Sequence, residues 1–508
     1  MELLKNTIPR YRNCGIRSEA FTESGDAIVS DVNPDVMNIV NTEANLVIRE
    51  KTLLAGSVKI TGEIQAQIYY QAYENEELFV TAAKFPFTHL CDMECGEQDL
   101  AVAEVTLLSI QANMLNPRKV NCRAELSLQL ELFRPEQYRY LEGIRGGAEE
   151  KIQVRSHTVE ELVLAGVAQK RVTLADEIRL SGTEMPEGSR ILRWDVTWTT
   201  EETRVLSKKV MVRGVARIDL TTLSPNGSFV TRAGYPASFS QIVECEEAEV
   251  GDRLELRYLP MNTQVRLITK PDGSAALDYD ITAEITAMAL RHVEYPVLED
   301  VYSTRFEMEV EPCISLLEGE PCPQLLEKPV SETIVTGSPA VRVQDICIKA
   351  MAACACCGDA SLQAEYYVKV LYETSEGMIC AACKRISVEI PAAQACACGC
   401  VYTPCADGAS GSVDQDGAIR ISFRAQLNLS GRSSRETRLV QNCRLDPEKP
   451  KQNRRRGSLV LRNVCDGEDV WSIAKAYNTA PDDICSANKL ERGTGLEVGR
   501  LLIIPFVG

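Results

Sequence analysis

A strand–turn–strand unit returning at intervals of roughly 150 residues constrains this chain more than any other feature. The first copy runs from Gly62 to Tyr70, crosses an acidic turn at Glu74 to Glu77, and returns from Leu78 to Phe87. The second runs from Gly214 to Leu220, turns at Ser224-Pro225-Asn226-Gly227, and returns from Ser228 to Phe239. The third runs from Ala364 to Tyr372, turns at Ser375-Glu376-Gly377, and returns from Met378 to Val388. Turn formers between alternating segments are a hairpin signature, and this interval means domain-sized repeats rather than a solenoid. A further strand follows each unit. Between Val120 and Leu132, Cys122, Ala124, Leu126, Leu128, Leu130 and Leu132 share one face. Between Ala276 and Leu290, Tyr279, Ile281, Ala283, Ile285 and Ala287 do the same, and Arg420 to Leu429 is the third counterpart. The expected fold is mainly β: three tandem β-sandwich-like domains, with helix confined to the last fifty residues.

With 508 residues there is room for several domains, and 45% hydrophobic residues suffice to bury their cores. A formal net charge of -17 argues against nucleic acid as the main partner, because phosphate binding needs a basic face. No run approaches the roughly 20 apolar residues of a membrane span. The opening Met1-Glu-Leu-Leu-Lys5 lacks the basic and then apolar pattern of a secretory signal. The expectation is a cytosolic protein with no membrane span. Catalysis has little support. His89, His157 and His292 stand apart in sequence, and no phosphate loop or nucleophile elbow is present. Among 72 carboxylates, pairs such as Glu160-Glu161 arise on any solvated surface. A non-enzymatic chain without cofactor is expected.

The last fifty residues have a different grammar. Val460 to Val464 alternates as a short strand. Asp466, Glu468 and Asp469 are acceptors placed where a helix begins. Val470, Ile473, Ala474 and Tyr477 then follow at helical spacing on one apolar face. Pro481 suits the first turn of a second helix, with Thr479 as a candidate cap and Ile484 and Cys485 facing inward. Leu501 to Ile504 makes a second strand before Pro505. Cys465 and Cys485 could pair, or could remain thiols in a reducing compartment.

With its Gly-Asp-like turn (Gly467, Glu468, Asp469) and its final Leu496-x-x-Gly499-x-Leu501-Leu-Ile503-Ile-Pro505, this segment resembles a LysM module, a small β-α-α-β binding domain. Glu468 stands where many members carry Asp. Upstream, Asp31-Val-Asn-Pro34-Asp35-Val36 and Leu115-Asn-Pro117-Arg118-Lys119-Val120 flank the first unit. That combination resembles the SPOCS domain, found in tandem before a LysM module in SipL-type spore morphogenesis proteins of spore-forming Firmicutes. Neither short motif is intact in copies two and three. The resemblance implies a non-enzymatic scaffold of the mother-cell cytoplasm at the forespore surface and spore coat. It implies that the LysM module contacts the spore-coat morphogenetic ATPase, alongside other coat proteins. Peptidoglycan or its N-acetylglucosamine polymer is the alternative ligand. The implied partner-contacting positions are Gly467, Glu468, Asp469, Trp471, Asn488 and Gly499. Structural roles stand beside that reading: turns for the glycines, a tied loop for Asn488, and an anchor for Trp471 where exposed.

The expected division is 1–145, 146–300 and 301–443 for the β-rich repeats, 444–457 for a basic linker, and 458–508 for the LysM module. The linker, with Pro447, Pro450, Lys451 and Arg454 to Arg456, reads as a flexible tether or as a basic contact for an acidic surface or lipid. Ten of the twenty cysteines fall between Cys347 and Cys405. Three readings are open. Cysteine can serve as a small hydrophobe in a packed sheet. It can cross-link during coat maturation. Or Cys354, Cys356, Cys357, Cys380 and Cys383 can supply a zinc site, although their spacing and that of Cys396, Cys398 and Cys400 is not a standard one.

Overall fold

The computed structural model describes residues 1–72, 78–180, 188–224, 230–271, 274–321, 323–355, 361–391, 401–430, 432–451, 459–491, 493 and 495–505. The first repeat holds β1 (Glu2–Ile28), β2 (Val36–Leu54), β3 (Ser57–Ala72), β4 (Leu78–Asp92), β5 (Leu100–Asn116) and β6 (Lys119–Arg145). The meander β2-β3-β4 forms one antiparallel sheet and β1-β6-β5 the other. Ile60, Ile64 and Ile68 from β3 meet Leu126, Leu128 and Leu130 from β6 between the sheets, all essentially inaccessible. The alternation read from the sequence is thus the inward face of both central strands.

The second repeat copies this plan in β7 (Ile152–Arg179), β8 (Arg190–Leu206), β9 (Lys209–Leu223), β10 (Val230–Glu244), β11 (Arg253–Thr269) and β12 (Ala275–Ser303), with sheets β8-β9-β10 and β7-β12-β11. In the third, the long outer pair is broken into β13 (Phe306–Pro321) with β20 (Arg432–Pro450), and β14 (Gln324–Ile334) with β19 (Ile419–Ser430). Its meander is β15 (Ala340–Ala355), β16 (Ser361–Thr374) and β17 (Ile379–Pro391), facing β14-β19-β18 with β18 at Val401–Val413. The three units read from the sequence are therefore β3–β4, β9–β10 and β16–β17, and the further strands are β6, β12 and β19.

The repeats also share their irregularities. A β-bulge in the first strand of each meander falls at Asn41, Arg193 and Asp345, a constant interval of 152 residues from 41 to 193 to 345. A second pair of bulges, at Glu50 and Glu202, sits beside Gly62 and Gly214. Each glycine lies opposite a phenylalanine, Phe87 or Phe239, on the next strand. A Cβ on Gly62 would meet the Phe87 ring and the Val47 carbonyl at 2.5 Å, and one on Gly214 would meet Phe239 and the Thr199 carbonyl. These glycines let an aromatic ring lie across a kinked strand. Gly62→Ala is expected to destabilise the first repeat by about 1–3 kcal/mol, read as a lower denaturation midpoint; an unchanged midpoint would refute this packing role. No glycine occurs in β16, so the third repeat lacks the device.

The paired outer strands continue past the sandwiches as three two-stranded arms, and the arms bundle. One layer joins Leu141, Leu298, Val301, Val440 and Cys443 from all three repeats. The next joins Val159, Tyr295, Val297, Leu317 and Leu439, with Tyr140 packed on Tyr295 at 4.6 Å. Within it, Glu161 is buried and accepts from Tyr295 Oη at 2.8 Å and Arg10 at 3.2 Å. Burial pushes the Tyr295 phenol well up, and the Glu161 charge adds to that. Charged side chains also cross between repeats. Lys369 reaches Glu43 at 3.0 Å, Lys51 pairs with Glu284, and Arg257 pairs with Glu131.

The segment expected as a linker begins inside the third arm. Arg444, Leu445 and Asp446 pair with Glu309, Met308 and Glu307, and Pro450 lies opposite Phe306. Residues 444–450 are strand because β13 would otherwise present an unpaired row of backbone groups. Lys451 follows, its ammonium donating to Ser303 O and Asn478 Oδ1, both at 2.9 Å. Arg454, Arg455 and Arg456 lie outside the described residues.

Candidate functional site

The LysM module comprises β21 (Leu459–Asn463), α1 (Val470–Tyr477), α2 (Pro481–Asn488) and β22 (Leu501–Pro505). The first helix starts at a capping box. Asp469 Oδ1 accepts from Ser472 N at 2.7 Å, and Ser472 Oγ lies 3.0 Å from Asp469 N. Desolvation raises the Asp469 carboxyl, but the Ser472 hydrogen bonds and the Arg155 guanidinium outweigh it and hold it below the ordinary carboxylate value. The second helix departs from the reading of Thr479 as its cap. Ala480 occupies the N-cap without a side-chain bond, and Pro481 opens the helix. Thr479 is instead turned inward, where its hydroxyl donates to Pro505 O at 3.1 Å. Ile473, Ala474, Ile484, Leu502 and Ile504 form the module's core. Cys465 is exposed and Cys485 buried, and no disulfide joins them.

The core of the module contains one residue from outside it. Tyr302, at the end of the second arm, packs among these side chains. Its hydroxyl donates to Thr479 O at 2.8 Å, and its ring meets Trp471 edge-on at 5.0 Å. Beside it, the Asp300 carboxylate accepts from Trp471 Nε1 at 2.8 Å and from Lys475 Nζ at 2.6 Å. Arg155 on the adjacent strand donates to Asp469 Oδ2 at 2.7 Å. The module is thus seated by its first helix on the second arm. Arg155, Asp300 and Tyr302 carry no local sequence signal for this role, since their partners lie more than 160 residues away in the chain.

The six implied contact residues divide into three groups. Gly467 and Gly499 adopt φ of 75° and 82°, in exposed turns where only their backbone requires glycine. Glu468 and Asn488 work within the module. Glu468 accepts from Cys465 N at 2.9 Å and pairs with Arg462. Asn488 Nδ2 donates to Ile484 O and Ile503 O at 2.8 and 2.6 Å, and its Oδ1 accepts from Ile503 N at 2.7 Å, tying α2 to β22. Asp469 and Trp471 belong to the seat on the second arm.

Of the five candidate metal-ligating cysteines, the described side chains are those of Cys380 and Cys383. Cys380 and Cys383 both lie on β17, three residues apart, so they face opposite sides of the strand. Cys380 packs against the third repeat's core and Cys383 is exposed. Cys347 and Cys383 flank Lys369 across the sheet. Two strand spacings separate them, roughly 9.5 Å, beyond disulfide reach. Cys356, Cys357, Cys396, Cys398, Cys400 and the side chain of Cys354 lie outside the described residues. Among the described residues no three His, Cys, Asp or Glu side chains converge as metal ligands.

The short motifs around the first meander also come together. Arg118 donates to Ser30 O and Asn33 O at 3.2 and 2.8 Å and pairs with Asp35 at 2.5 Å, while Tyr70 Oη reaches Pro34 O at 3.1 Å. Residues 35–115, from this loop to the end of β5, match the family model described as SipL, SPOCS domain. Residues 464–505 match the LysM domain model. No curated protein and no solved structure matches the chain. The matched domains are non-catalytic binding domains, those of a sporulation-related protein of peptidoglycan-binding type. No helix among the described residues is long and apolar enough to cross a membrane. The chain thus carries a SipL SPOCS domain in its first repeat and a LysM domain after its third, the combination of domains that the sequence suggested.

Proposed function

We propose that this chain is a non-enzymatic scaffold of endospore formation, acting in the mother-cell cytoplasm at the forespore surface and spore coat. In this reading its LysM module recruits or tethers the spore-coat morphogenetic ATPase, and other coat proteins assemble on the repeats. The observation that supports it most is the pairing of a SPOCS domain with a LysM module seated on a three-repeat body.

Retention of peptidoglycan through the same module is the second reading, favoured by the LysM match itself. The two separate in one experiment. The full chain and a chain truncated after residue 450 are tested for binding to the purified ATPase and to peptidoglycan sacculi. The scaffold reading expects ATPase binding that is lost on truncation, with no retention on sacculi. Retention on sacculi alone would replace it with the glycan reading.

A further inference from the structure

We propose that the end of the second arm is a latch: Arg155, Asp300 and Tyr302 hold the LysM module by its first helix and withhold the Asp469–Trp471 face from outside ligands. The proposal rests on the reading that these two residues belong to the module's binding surface. A ligand that needs them must displace the Arg155 and Asp300 side chains while Tyr302 stays in the module's core, so these contacts and ligand binding compete.

The contacts have the character of a releasable joint. Asp300 takes both the Trp471 indole N–H and the Lys475 ammonium. Arg155 takes Asp469, which also caps the helix. The Arg155, Asp469 and Lys475 side chains all keep 39–49% of their exposure. Ion pairs this wet contribute little net stability, and polar interfaces inside one chain behave like transient ones. Tyr302 is the buried arm residue that packs into the module's core. It fixes where the module sits, while the polar contacts around it set how firmly. The remaining implied positions are differently placed. Gly467 and Gly499 sit in exposed turns outside these contacts. The contacts to Asp469, Trp471 and Lys475 come from β7 and β12 of the second arm.

Coupling of this kind is reciprocal: whatever weakens the latch tightens the ligand by the same factor. The test uses the full chain with Asp300→Ala and, as an independent variant on the neighbouring strand, Arg155→Ala. Docking is read by acrylamide quenching of tryptophan fluorescence. Trp194 and Trp198 are each 8% exposed, so a rise in quenching reports Trp471. Binding is read with the purified ATPase and with peptidoglycan sacculi. Expected are stronger quenching in both variants and an affinity about fivefold higher for the ligand the wild-type chain binds. Unchanged quenching in both variants overturns the latch, whichever ligand binds. Stronger quenching with unchanged affinity overturns the competition, because the exposed face would then not be the binding face. A wild-type chain that binds neither ligand defeats the functional reading instead, and the quenching result then decides the latch alone.

Discussion

Replacing Asp345 by alanine is expected to destabilise the joint between the second and third repeats by about 3–5 kcal/mol, the usual cost of stripping one partner from a buried ion pair. The Asp345 side chain is 2% exposed and faces two guanidiniums from the second repeat. Arg193 donates at 3.2 Å and Arg232 Nε at 2.5 Å, while Arg232 also reaches Ile346 O at 2.6 Å. Arg193 is itself only 15% exposed, so alanine leaves a nearly buried cation to the exposed Asp195 carboxylate at 3.2 Å. Asp345→Asn should cost less, because the amide oxygen still accepts. A fall in melting temperature on the order of 10 °C is anticipated for the alanine variant. A fall no larger than that of the asparagine variant would show that water already compensates this site.

Tyr302→Ala should unfold the LysM module selectively. Removing a buried aromatic ring costs about 3–5 kcal/mol, and a module of this size has little stability in reserve. The ring contributes to the module's core although it belongs to the second arm. Tyr302→Phe keeps the ring and loses only the hydrogen bond to Thr479 O, a cost of about 1 kcal/mol. Hydrogen exchange resolves the two. In the alanine variant, protection should disappear across α1 and α2 while β3 and β16 keep theirs. If both variants protect the helices equally, the ring is a neighbour of the module's core and not a member.

Some of this architecture was legible in the sequence because each feature is written within one strand. Cys122 to Leu132 alternates since its inward face packs against the facing sheet of its own repeat. The Gly62–Phe87 and Gly214–Phe239 pairs were visible as hairpins for the same reason. The arms were not legible. In β1 the exposed and half-buried positions follow no simple alternation, because its partners in the bundle come from other repeats. The Cys380-x-x-Cys383 spacing suggested shared ligation, yet a strand period of two sends the thiols apart. Asp469 and Trp471 were found as surface positions, but their use by Asp300 and Arg155 is a tertiary fact that no local pattern records.

Three copies of one plan joined in a single polypeptide can diverge, as three identical subunits cannot. The first copy carries the paired Pro loops, and the second supplies Asp300 and Tyr302 to the LysM module. A homotrimer of the same shape would present three such modules around its axis; this chain presents one, off to the side. Each set of three repeats described here thus carries one LysM module, and a single module offers no avidity by itself. An array joined through that module alone would take its repetition from the surface bound, and the seat on one arm would give it a direction.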